Sequence, residues 1–81
     1  MEIDRLQSAN RVVGLKQTLH AIEDGKTETV FIARDADDRV RVPVEALCKQ
    51  KQLTIFFVDT TEELGKACGI DVGAAVAAII L

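Results

Sequence analysis

Thr29-Val30-Phe31-Ile32-Ala33 is a continuous β-branched and aromatic run, bounded by Gly25-Lys26 before it and Asp35 to Asp38 after it. Side chains of a strand alternate between faces, so a run that is apolar at every position predicts a central strand covered by helices on both sides. Leu53 to Val58 is a second run of this kind. Ala74 to Leu81 holds no helix breaker, and its alanines would suit a helix. Because it ends in Ile79-Ile80-Leu81 and follows a helix, it is expected as a last, buried strand whose small side chains let helices pack close. Arg11-Val12-Val13-Gly14 reads as a very short strand ending in a glycine turn.

The helices fall between these runs. Ile3, Leu6 and Ala9 carry a short helical period, giving a first helix over about residues 3–9. Leu15, Leu19 and Ile22 share one helix face, and Gly25 follows as a left-handed stop. Pro43 is expected to open the next helix, because the first helical position needs no N–H; Val44, Leu47 and Cys48 would be its buried face. Thr60 and Glu63 fit a capping box for a short helix weakened by Gly65 and stopped by Gly69. The order α-β-α-β-α-β-α-β predicts an α/β fold, a three-layer α-β-α sandwich around a small four-stranded mixed sheet. At 81 residues, one domain over 1–81 is expected.

Composition narrows the function. Hydrophobic residues make up 48% and charged residues 28% of the chain, an ordinary globular balance. With three Phe and no Trp or Tyr, the core must be aliphatic. Met1 to Arg5 offers no apolar signal region, and the apolar stretch Val72 to Leu81 is too short for a bilayer, so a cytoplasmic protein with no membrane partner is expected. Cys48 and Cys68 stand apart from each other and from His20, the one histidine, so neither a metal cluster nor a catalytic thiol is supplied. The cluster Asp35, Asp37, Asp38 lacks calcium-loop spacing and reads as helix capping. No phosphate-binding glycine loop or Ser-His-Asp set exists, so no enzyme, cofactor or metal is expected. The formal net charge of −3 excludes the simplest nucleic-acid binder, a uniformly basic chain.

Two segments do not read as core. Gly14-Leu15-Lys16-Gln17-Thr18 opens a helix, where free backbone N–H groups suit a phosphate, and Lys16 and Gln17 can donate to a base edge. A solvated helix start is the plainer reading. In Gly69-Ile70-Asp71-Val72-Gly73, two apolar side chains sit between glycines. They either plug the core or stack against unpaired bases.

Leu64-Gly65-Lys66-Ala67-Cys68-Gly69-Ile70, followed by Val72 and an alanine-rich strand, resembles the signature of the ribosomal protein L7Ae family, small proteins that bind kink-turn RNA. The resemblance extends to Gly14–Ala21, to Ala33-Arg34-Asp35-Ala36-Asp37 and to Ile55–Val58, and is nearest to the short bacterial members. It implies a non-catalytic protein that stabilises a duplex bent at a three-nucleotide bulge beside tandem sheared G·A pairs. Lys16 and Gln17 would contact the G·A guanines, flanked by Thr18 and His20, with Gly14 allowing close approach. Ile70, Asp71 and Val72 would cover the bulged nucleotides. Asp37 would face a flipped base, and Lys66 a phosphate. The implied partner is structured ribosomal or riboswitch RNA, met by a monomer.

Three positions depart from the family pattern. His20 stands where most members carry Lys or Arg, and a neutral imidazole cannot make the same charge-assisted contact. RNA affinity is therefore expected to depend on pH. Thr61 replaces a lysine, and Arg41 replaces an apolar pocket residue. With the acidic balance, the first two also favour an alternative, a protein-interaction module on the same fold that has lost RNA binding.

Overall fold

The computed structural model describes residues 5–81. Its elements follow the expected order: α1 Arg5–Ser8, β1 Arg11–Val13, α2 Leu15–Glu23, β2 Thr27–Ala33, α3 Asp38–Gln50, β3 Thr54–Val58, α4 Thr61–Ala67 and β4 Val76–Ile80. Residues 3 and 4 of the expected first helix lie outside the described residues. The sheet order is β1-β4-β2-β3. β4 runs antiparallel to both β1 and β2, while β2 and β3 are parallel. β1, β2 and β3 therefore point one way and β4 the other, which makes the sheet mixed.

Strand alternation builds two cores. Phe31 and Ala33 of β2 join Ala77 and Ile79 of β4 under Leu6 of α1, Leu64 and Ala67 of α4, and Cys68 at the end of α4. Val30 and Ile32 join Val76 and Ala78 on the other face, under Ile22 of α2 and Val44 and Cys48 of α3. Helices thus cover both faces, and the three-layer sandwich follows from period-2 alternation in two doubly apolar strands. Phe31 and Phe56 stack with ring centroids 5.6 Å apart. β2 starts earlier than the apolar run because buried Thr27 satisfies itself: its hydroxyl donates to the Thr29 carbonyl at 3.0 Å, at a register shift against β4.

The start of α3 corrects the expectation for Pro43. The helix opens at Asp38, and Pro43 lies inside it. Asp37 caps it instead, its carboxylate accepting the Arg39 N–H at 2.8 Å. Pro43 has no N–H to offer the Arg39 carbonyl, but both residues are exposed, where water can serve. The expected face holds: Val44 and Cys48 are fully buried. α4 is capped as expected, by the Thr60 hydroxyl accepting the Glu63 N–H at 3.0 Å. Gly25 and Gly69 end their helices with φ of 69° and 77°.

Candidate functional site

The sheet directions gather four connections at one edge. Gly14 N–H donates to the Val76 carbonyl at 2.9 Å, Ala33 N–H to Ala75 at 2.8 Å, and Arg34 N–H to Val58 at 2.7 Å. The ends of β1, β2 and β3 therefore meet the beginning of β4. Two bonds lace the connections together: Thr61 N–H donates to the Asp35 carboxylate at 2.7 Å, and Ala74 N–H to the Thr61 carbonyl at 2.9 Å. Open α/β sheets place ligands at such an edge, outside the carboxyl ends of the parallel strands.

At one end of this rim stands the start of α2. Gly14 takes φ 99° and ψ 162°, a conformation that side-chain-bearing residues rarely adopt, and it has no side chain to cap the helix. No side chain caps the first-turn N–H groups, Lys16 and Gln17 beside them are exposed, and the turn holds no acidic residue. This is an open, electropositive helix start. His20 is exposed one turn further on. Thr18 is different: it is fully buried, and its hydroxyl finds no hydrogen-bond partner among the described residues. It faces the interior and not the rim.

The other segment, residues 69–73, folds back along α4. Ile70 N–H donates to the Gly65 carbonyl at 3.1 Å. A Cβ at Gly65 would lie 2.1 Å from the Val72 carbonyl oxygen, so only glycine allows this approach. The expected weak point of α4 is thus the seat of the loop. The two apolar side chains divide the two readings between them: Ile70 is half-buried against the α1/α4 core, whereas Val72 is 70% exposed. Between α4 (Thr61, Glu62, Lys66) and the loop (Ile70 to Gly73) lies an open cleft of about 340 Å³.

The remaining candidates are engaged with neighbours. Lys66 Nζ lies 3.4 Å from a Glu62 carboxylate oxygen, an exposed pair of the kind that contributes little stability. Asp37 holds Arg39 through both carboxylate oxygens, at 3.2 and 3.0 Å, and the guanidinium keeps its carboxyl below the usual range. Arg41 pairs with Asp38 and, at 3.6 Å, with Glu45. Asp71 is exposed. The structure thus brings Gly14, Lys16 and Gln17 onto the same rim as the turn after β2 and the 69–73 loop, and it leaves Thr18 behind in the core. Sequence reasoning missed Gly65 as a packing requirement and Arg11, whose guanidinium lies over the root of the loop. The available signal for Arg11 was a cation inside an otherwise apolar strand, which demands a partner.

A mixed four-stranded sheet with an open helix start and an apolar loop on one rim defines a small α/β binding module. The model of the ribosomal protein L7Ae/L30e/S12e/Gadd45 family matches residues 3–81, and the chain belongs to that family. An RNA-binding protein of Halalkalibacterium halodurans is 51% identical over 73 residues, covering 90% of this chain and 89% of that one. The large ribosomal subunit protein eL8 of Haloquadratum walsbyi is 40% identical over 68 residues, covering 83% of this chain and 57% of its own length. Among solved structures, the Giardia lamblia 15.5 kDa RNA-binding protein superposes with a TM-score of 0.85 at 29% identity, covering 98% of this chain and 68% of that one.

Proposed function

We propose that this chain is a non-catalytic RNA-binding protein that recognises kink-turns and holds them bent. The observation that carries the reading is the uncapped start of α2, with Lys16 and Gln17 exposed on the same rim as Val72. Lys16 and Gln17 read the sheared G·A edges, helped by the free N–H groups of the first helical turn. Val72 and the outer edge of Ile70 cover unstacked bases of the bulge. The protein folds the RNA only to the extent that it prefers the bent conformer. Ribosomal RNA and riboswitches of the cytoplasm are the natural hosts, and a monomer suffices.

The test mixes the protein with a kink-turn duplex and with the same duplex lacking its bulge, reading gel retardation and end-to-end distance. Selective binding and shortening of the bulged duplex are expected. Lys16→Ala combined with Gln17→Ala should remove the preference while leaving the thermal melt unchanged. Equal binding of both duplexes at low salt would overturn the proposal.

A further inference from the structure

Arg11 opens β1, an edge strand, and pairs in register with Ile79, so its side chain points into the α1/α4 layer. There its Nε and Nη2 both donate to one oxygen, the Cys68 carbonyl, at 3.0 and 2.6 Å. Nη1 donates to the Ala9 carbonyl at 3.3 Å. Cys68 caps the C-terminus of α4, where carbonyls lack intrahelical donors and a cation is favoured. Gly69 follows at once, and a Cβ there would lie 3.4 Å from Arg11 Nη2, so the guanidinium covers the turn that starts the loop.

Among the described residues, the other hydrogen bonds that anchor residues 69–74 run from backbone to backbone within the α4 unit: Gly69 to Lys66, Ile70 to Gly65 and Ala74 to Thr61. Arg11 instead reaches across from β1, whose next residues lead through Gly14 into Lys16 and Gln17. Because Arg11 opens β1 and lies opposite Ile79, near the end of β4, its clamp fixes the root of the loop to the sheet at the edge away from the rim, from which the loop returns along α4. A planar fork of two N–H groups on one carbonyl fixes direction as well as distance, which the point charge of a lysine does not.

We infer that Arg11 is a positioning residue that fixes the root of the Gly69–Gly73 loop to β1, and so sets the course of the loop back toward the rim and how strongly the chain discriminates for the bulge. This rests on the RNA reading above. Arg11 does not touch RNA itself; it acts through Val72.

The experiment measures affinity for bulged and bulge-free duplexes with Arg11→Ala and Arg11→Lys, each alone and combined with Val72→Ala, across a salt series. Amide exchange of residues 69–73 is followed alongside. Arg11→Ala should reduce the bulged-over-bulge-free ratio about tenfold, the scale of one charge-assisted hydrogen bond. In the Val72→Ala background that loss should shrink to within about twofold, because coupled residues are not additive. Loop amides should exchange faster while those of Val30 to Ile32 do not change. The salt slope should stay at its wild-type value. A slope flattened by about 0.7 to 0.9 would mean a direct phosphate contact and overturn the inference. So would full additivity with Val72→Ala, or wild-type discrimination in Arg11→Ala. If Arg11→Ala does not fold, Arg11→Lys decides, since it keeps the charge and stem but not the fork. Loss of bulge preference in the unmodified protein would instead remove the RNA reading, and with it this one.

Discussion

Thr18 carries a hydroxyl into the core, where it has no hydrogen-bond partner among the described residues. A buried, unpaired polar group costs roughly 1 to 3 kcal/mol, and an apolar group of the same shape avoids that cost. Thr18→Val should therefore raise stability by about 1 kcal/mol, read as a higher urea midpoint at constant slope. RNA affinity should not change; a drop would return the hydroxyl to the binding surface. Cys48 and Cys68 are free and buried. Burial, then the Glu45 charge, pushes the Cys48 thiol up to about 11. Burial also raises Cys68, opposed by the Arg11 charge. The folded chain holds these protons more tightly than the unfolded chain does. Their stabilising effect is therefore complete below the unfolded thiol value and is lost as pH rises through the folded one. The urea midpoint should fall from about pH 9 to 11, and Cys48→Ala should flatten much of that fall while lowering the midpoint at every pH.

At the scale of elements, α4 and its returning loop form one unit built on Gly65. Gly65→Ala would drive a methyl group against the Val72 carbonyl. The expected result is a destabilisation of roughly 1 to 3 kcal/mol, the usual cost of overpacking, with loss of bulge preference. An unchanged melt and unchanged binding would show that the loop can lift off without penalty. Asp37→Ala removes the α3 cap and should lower the midpoint of the same melt. The elements themselves were legible, but β3, expected as a second buried strand, is the edge of the sheet, with Val58 buried and Thr54 and Phe57 exposed, because its apolar run says nothing of how many strands lie beyond it. Val30 to Ala33 and Val76 to Ile79 carry apolar side chains to both faces, and Thr60 and Gly69 punctuate α4 by local chemistry. Pro43 misled because a proline marks a permitted first turn, not a required one, and Asp37 was the stronger signal. At the rim, the exposure of Lys16 and Gln17 was legible from an open helix start, while the loop reading left core plug and exposed contact open, and the structure divides them between Ile70 and Val72. Arg11 and Gly65 were not legible, because their roles depend on Cys68 and Val72, contacts that only the folded chain creates.

For the whole molecule, the formal charge of −3 and the small rim act together. Few cations reach the proposed surface, since Lys66, Arg39 and Arg41 are paired with carboxylates. A log–log salt dependence of affinity with a slope of about 2 to 3 is expected, set by the few phosphates contacted. A slope near that of a basic duplex binder would contradict the small footprint. The charge does not forbid RNA; it leaves shape as the main attraction.

The reversed strand β4 has a consequence for the order of assembly. β1 has β4 as its one sheet neighbour, and β4 is the last element of the chain. The β2-α3-β3 unit is contiguous and can form early, but β1 has nowhere to pair until β4 has closed against β2, a long-range step that folding reaches slowly. Gly14 is held by Val76, and Ala74 by Thr61. The start of α2 and the 69–73 loop therefore come into register in the same closing step, and a chain caught before it would own each half of the surface without the whole.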